Sequence, residues 1–141
     1  MNLEAIENLK AGAVEAFCAG ELARSEGHWS VLELEYRRHG HADGLLAIAF
    51  NRFLVSLEQG SCEETTRLMA QIAERFTDPD LKETPVLHTV ADEICRLFAT
   101  PLPGVSHEVG SALYELARPY SDCPYPVEQE LGYTAEYGEV W

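Results

Sequence analysis

Residues 45–57 read LLAIAFNRFLVSL and form the most apolar stretch of the chain, interrupted chiefly by Asn51 and Arg52. A helix with so little polar surface has to be surrounded by other elements. The stretch is also about a third shorter than the ~20 residues that a membrane-spanning helix requires. It therefore predicts a buried central helix of a bundle, with Asp43 as its N-terminal cap and Gly60 at its end.

Two further helices are predicted before this central one. Apolar residues at three- and four-residue steps predict a first amphipathic helix over residues 2–23, with Asn2 as its cap. Between Gly27 and Gly40, the spacing of Trp29, Leu32 and Tyr36 indicates a second helix. Residues 29–36 also alternate in polarity, which leaves a strand as an alternative.

Three more helices are predicted after the central one. Ser61 and Glu64 match the capping-box pattern, in which each side chain accepts a hydrogen bond from a free backbone amide at the start of a helix. The helix predicted to begin there reaches Phe76. Thr84 followed by a proline begins the next. Ser106 caps a shorter helix through Arg118. We therefore predict an all-α fold, a compact bundle of about five to six helices over residues 1–118 and an extended acidic and aromatic C-terminal tail over residues 119–141. Neither the helix lengths nor their faces indicate a repeat of fixed period.

The total charge is the compositional feature that most restricts function. The 141 residues include 24 acidic and 10 basic side chains, a formal net charge of −14. Such a field repels phosphate backbones and anionic membranes, so we expect no direct binding of nucleic acid or lipid, and the expected partners are basic. The alternative is that the acidity only keeps a small protein in solution.

The remaining compositional signals favour a cytoplasmic protein. The first ten residues lack the basic and apolar regions of a signal peptide, which makes secretion unexpected. The four cysteines, Cys18, Cys62, Cys95 and Cys123, form none of the close pairs that zinc or redox sites use. We therefore expect reduced, structural thiols and no cofactor.

The densest polar cluster of the sequence includes His39, His41 and Asp43. Their His-x-His-x-Asp spacing resembles the metal-binding signature of metallo-β-lactamase-like hydrolases, in which histidines and an aspartate hold zinc. The resemblance implies a small metal-dependent hydrolase. Gly44, however, stands where that family has a further histidine, and the family's fold is rich in strands. The preferred interpretation is a polar turn between helices.

Arg52 interrupts the most apolar helix, and a buried arginine needs a carboxylate partner. Arg52 therefore either emerges at the edge of the helix or forms an internal ion pair, and we expect the edge position.

The C-terminal tail combines aromatic rings with carboxylates and has no lysine or arginine. Interface hot spots are enriched in tyrosine and tryptophan, and acids beside them suit a partner rich in lysine and arginine. The predicted partner-binding residues are Tyr120, Asp122, Tyr125, Glu128, Glu130, Tyr133, Glu136, Tyr137, Glu139 and Trp141. The alternative is that the rings fold back over the bundle while the acids face water.

These observations lead to three hypotheses of function. The first is a non-enzymatic acidic protein that masks a basic partner, as an immunity or antitoxin-like inhibitor of a nuclease or other nucleic-acid-directed toxin does. The second is a metal-dependent hydrolase that uses His39, His41 and Asp43. The third is a helical adaptor in a larger assembly, or a homodimer formed through the apolar face of residues 29–36.

Overall fold

The computed structural model describes residues 1–99 and 102–121, and all regular structure in these ranges is helical. The all-α prediction is thus confirmed. The helices are α1 (Leu3–Cys18), α2 (Leu22–Arg38), α3 (Ala42–Gln59), α4 (Cys62–Phe76), α5 (Pro85–Leu97) and α6 (His107–Ala117), followed by a single 3-10 turn (Arg118–Tyr120).

Helix α3 lies at the centre of the bundle, as residues 45–57 predict. It packs against α2, α4 and α5, while α1 packs on α2, and α6 packs on α4 and α5. Phe50 and Phe53 are completely buried on the side of α3 that faces α4, α5 and α6. Ile48 and Val55 form a second apolar cluster with α1 and α2. None of the helices in the described ranges has both the length and the apolar character to cross a membrane.

The first three interhelical turns repeat one geometry every 20 residues. Gly20, Gly40 and Gly60 all have positive φ values, between 63° and 79°. In each turn the amide after the glycine bonds to the carbonyl five residues earlier, as from His41 N to Tyr36 O at 2.9 Å. This is the Schellman arrangement, and it requires a residue that adopts the left-handed conformation without strain. The three turns therefore share one local geometry, although the helices that they join have 16, 17, 18 and 15 residues.

The predicted helix caps are partly confirmed. The side chains of Asn2, Thr84 and Ser106 each accept a backbone N–H at the start of their helices. The prediction for α3 was wrong, because His41 is the cap and its Nδ1 accepts the amide of Gly44 at 2.9 Å. The capping box at Ser61 was also wrong, because the Ser61 side chain makes no capping bond.

Two predicted boundaries near the N-terminus were wrong. Helix α1 ends at Cys18 instead of residue 23, and Gly27 lies inside α2 instead of before it. Helix α1 ends at Cys18 because the chain turns at Gly20, and α2 continues through Gly27 because a helix tolerates an isolated glycine. Residues 29–36 are helical, so the strand alternative was wrong as well.

The apolar face of residues 29–36 is turned inwards. Trp29, Leu32 and Tyr36 are buried in the cluster that joins α2 to α1 and α3. Only Val31 and Leu34, among the apolar residues of this segment, are exposed. The face on which the homodimer hypothesis was based is therefore used within the chain.

Candidate functional site

A groove crosses the outer side of α3, between α2 and α4. We call it the α3 groove. Leu45 and Ala49 of α3 line it, together with Glu33 and Arg37 of α2 and, from α4 and the following loop, Gln71, Glu74, Arg75, Thr77, Asp78 and Pro79. Its volume is ≈ 550 Å³. The groove exists because α2 and α4 both pack on α3 and stand on either side of it.

Leu45, Ala49 and Arg52 follow one another at steps of four and three residues, so all three lie on the same face of α3. The Arg52 guanidinium bonds to Glu26 of α2 at 2.7 Å and also to Glu33. On the opposite side it lies 3.8 Å from Glu64 of α4. The Arg52 side chain is only 14% exposed, so the expected edge position was wrong and an internal ion pair is present.

The Arg52 cluster is electrically balanced. Arg37 bonds to Glu33 at 2.6 Å, and Arg67 bonds to Glu64. Three arginines thus share three glutamates, and the cluster spans α2, α3 and α4. Because Arg52 contacts both walls, it sets the spacing between α2 and α4 beside the α3 groove.

The pKa directions within this cluster follow from its geometry. Burial alone would lower the pKa of Arg52, but the hydrogen bond and charge of Glu26 and the charge of Glu33 raise it. The hydrogen bond from Arg67 lowers the pKa of Glu64; burial opposes this effect, and the charges of Arg67 and Arg52 add to it. Arg52 and Glu64 are therefore held in their charged forms.

A second polar cluster surrounds Glu35, whose side chain is only 2% exposed. His39 Nε2 lies 3.1 Å from Glu35 Oε1, and Arg38 bonds to Oε2 at 3.0 Å. The amino group of Met1 lies 3.4 Å from the same carboxylate. Burial alone would raise the pKa of Glu35, but the His39 hydrogen bond and the charge of Arg38 outweigh it, so the pKa is lowered.

The structure does not bring His39, His41 and Asp43 together on one centre. His39 contacts Glu35, and His41 caps α3. Asp43 Oδ1 accepts a hydrogen bond from the Thr84 hydroxyl at 3.1 Å. Within residues 1–99 and 102–121, no group of three or more His, Cys, Asp or Glu side chains is placed to hold a metal ion. Each of the three residues has a local structural role instead.

A second cavity, which we call the Asp43 pocket, adjoins the α3 groove. Its volume is ≈ 400 Å³. Leu46, Leu81 and Leu87 give it apolar walls, and Asp43, Asp78 and Asp80 give it a carboxylate rim. Arg75 and Asp78 line both cavities, so the two are adjacent.

Tyr120 is the one predicted partner-binding residue within the described ranges, and it packs on the bundle. Its ring centre lies 5.8 Å from that of Phe76, and its carbonyl oxygen is 2.6 Å from His88 Nδ1. The other predicted residues, Asp122 to Trp141, lie outside the described residues. The packed body therefore includes Tyr120 and does not end at Arg118.

The cysteines in the described ranges differ in exposure. Cys95 is buried in the core, as expected of a structural thiol, whereas Cys18 and Cys62 are exposed. Cys123 lies beyond the part of the chain that the structure describes.

The Arg52 cluster and the α3 groove were not predicted as a site from the sequence. The available signal was the arginine inside the most apolar helix, together with glutamates on the flanking helices. No protein-family model, curated protein or solved structure matches this chain, so the geometry described above is the basis for assigning a function.

Proposed function

We propose that this protein is a non-enzymatic binding protein that masks a basic protein partner, acting as an immunity or antitoxin-like inhibitor of a nucleic-acid-directed bacterial toxin, such as a nuclease. The observation that supports the proposal best is the outward display of unneutralised carboxylates.

The described ranges contain 19 of the 24 acidic residues and all 10 basic ones. Among these acids, Glu35 alone is classed as buried. Eight of the exposed acids form no ion pair with any residue of the described ranges: Glu4, Glu15, Glu58, Glu63, Glu74, Asp78, Asp80 and Glu108. Negative charge is therefore available to a partner.

Most of the basic side chains are already engaged within the molecule. Arg37, Arg52 and Arg67 share the glutamates of the Arg52 cluster, and Arg24, Arg96 and Arg118 pair with acids three residues away. Internal pairing of the cations leaves the surplus acids unmatched. Complementary charge of this kind accelerates association and excludes anionic competitors such as nucleic acid.

The unpaired acids do not form one continuous face. Glu58 and Glu63 flank the turn between α3 and α4, whereas Glu74, Asp78 and Asp80 lie at the far end of α4. Glu4 and Glu15 are on α1. A general acidic surface supports long-range attraction, while specific recognition needs a shaped site in addition.

The proposal is tested by capture on the immobilised full chain, using a lysate of the source cells. We expect a basic protein that is retained at about 0.05 M salt and associates several-fold more slowly at about 0.5 M, because screening acts on encounter. Its nuclease activity should fall when one equivalent of this chain is added. Binding whose association rate does not depend on salt, or a captured protein that this chain fails to inhibit, would contradict the proposal.

A further inference from the structure

We propose that the α3 groove and the adjoining Asp43 pocket form the surface on which a lysine- or arginine-bearing segment of the protein partner docks. This inference rests on the proposed function and names the part of the surface that carries specificity. Glu74, Asp78 and Asp80, at the end of α4 and in the following loop, line these two cavities.

The two adjacent cavities, which together we call the channel, are of suitable size for a peptide segment. The α3 groove (≈ 550 Å³) and the Asp43 pocket (≈ 400 Å³) meet at Arg75 and Asp78. The channel runs from the floor of α3 over the end of α4 to the start of α5. Together the two parts offer room for several side chains of a partner segment.

The charge of the channel favours a basic occupant. Five carboxylates line it, those of Glu33, Asp43, Glu74, Asp78 and Asp80, against the three cations Arg37, Arg75 and Lys82. Glu33 is engaged by Arg52 and Arg37, so it has little capacity for a further partner. The carboxylates of Glu74, Asp78 and Asp80 are exposed and form no ion pair with a described residue. They are the groups that remain for a ligand.

The apolar walls favour lysine or arginine side chains over a small cation. Leu46, Leu81 and Leu87 line the Asp43 pocket together with its aspartates, and Leu45 and Ala49 line the α3 groove. Long basic side chains bury their methylene stems on apolar surface and keep the charged end in a polar environment. An apolar wall with a carboxylate rim matches both parts of such a side chain.

Two charge-matched double variants test this inference. Glu74→Gln with Asp78→Asn changes the channel, and the asparagine keeps the oxygen that accepts the Asp80 amide in the native turn. Glu4→Gln with Glu15→Gln changes α1 by the same two charges at exposed positions. The probe is a fluorescein-labelled peptide of alternating lysine and leucine, and the measurement is fluorescence anisotropy with each full-length protein. A peptide of alternating glutamate and leucine is the negative control.

We expect the channel variant to bind the basic peptide about tenfold more weakly, which corresponds to about 1.4 kcal/mol. The affinity of the α1 variant for the basic peptide should fall by less than about twofold, because exposed charges distant from the ligand are screened. Titration of the unlabelled peptide into ¹⁵N-labelled protein should shift the amide signals of Ala49, Gln71 and Thr77.

The possible failures are distinguishable. Equal weakening in both variants, or amide shifts confined to other parts of the chain, would overturn docking in the channel and leave the proposed function standing. Failure of the unmodified chain to bind the basic peptide in preference to the acidic one would count against the proposed function and the docking surface together.

Discussion

Arg52 of α3 links α2 and α4 through a single guanidinium group. Its single guanidinium faces Glu26, Glu33 and Glu64 in a position where little water reaches it. Removal of one member of a shielded ion cluster leaves the remaining charges without compensation, which costs more than the loss of an exposed pair.

We expect Arg52→Met to lower the free energy of unfolding by about 2 kcal/mol, a value between those of fully buried and exposed pairs. Urea denaturation followed by circular dichroism measures the loss. The control is Arg24→Met, which breaks the exposed pair with Glu21 and should cost less than about 0.5 kcal/mol. Similar losses in the two variants would show that Arg52 is not a structural link between the helices.

The carboxylates of Glu35 and Glu64 predict sensitivity to acid. Both pKa values are lowered from 4.5. A carboxyl group with a lowered pKa in the folded state contributes stability above its ordinary pKa, and this contribution disappears as the pH falls through the lowered value. Stability should therefore fall as the pH drops below 4.5.

The Glu64→Gln variant isolates the contribution of Glu64 to this loss of stability in acid. Between pH 4.5 and about pH 3, the urea midpoint of the variant should fall less steeply than that of the unmodified chain, because the introduced amide has no proton to gain. The measurement is a set of urea midpoints at about pH 7, 4.5 and 3. Parallel pH profiles for the two proteins would contradict the assignment.

Helix α3 owes its close contact with α2 to a small residue at its start. A Cβ atom at Gly44 would lie 2.7 Å from the Tyr36 ring, nearer than non-bonded carbons approach. Tyr36 is itself buried and contacts the His41 ring, with a centroid separation of 5.0 Å. The α2–α3 turn is therefore closely packed on its inner side.

We expect Gly44→Ala to destabilise the fold by about 1–3 kcal/mol, the usual cost of overpacking. The matched control is Gly27→Ala, at a helical position in α2 where a new Cβ meets no atom within 4 Å. This control should gain up to about 1 kcal/mol, because alanine is the better helix former. Thermal unfolding of the two variants should shift the midpoint in opposite directions, and a stabilised Gly44→Ala protein would contradict the close packing.

The whole molecule combines an ordinary apolar core with a surface on which acidic side chains outnumber basic ones. The core extends to Tyr120, which packs against Phe76 beyond the end of α6. Ser121 continues this packed region through a 2.8 Å hydrogen bond to Asp92. The packed region thus includes Tyr120 and Ser121.

Two truncated chains test the contribution of Tyr120. Relative to a chain ending at Ser121, one ending at Arg118 should lose about 2 kcal/mol with the packing of Tyr120. Differential scanning calorimetry compares the two. Equal midpoints would show that Tyr120 contributes nothing to the fold. Comparison of partner binding by the full chain and residues 1–121 measures the role predicted for the C-terminal acids and rings.

Much of the fold follows from short-range patterns. The apolar run at residues 45–57 indicated a central helix, and Asn2, Thr84 and Ser106 marked helix starts, because periodicity and capping involve residues only a few positions apart. The turns at Gly20, Gly40 and Gly60 follow the same local rules, and their spacing of 20 residues is visible in the sequence.

Short-range sequence patterns could not predict the partners of Arg52 or the shape of the channel. Glu26 and Glu33 lie 26 and 19 residues from Arg52, and which glutamates it meets depends on how α2 and α4 pack on α3. The same holds for Asp43, whose hydrogen-bond partner Thr84 lies 41 residues away in the sequence. The one-dimensional pattern was enough to define helices because their bonds are local, whereas a binding surface depends on contacts between helices that form only when the chain has folded.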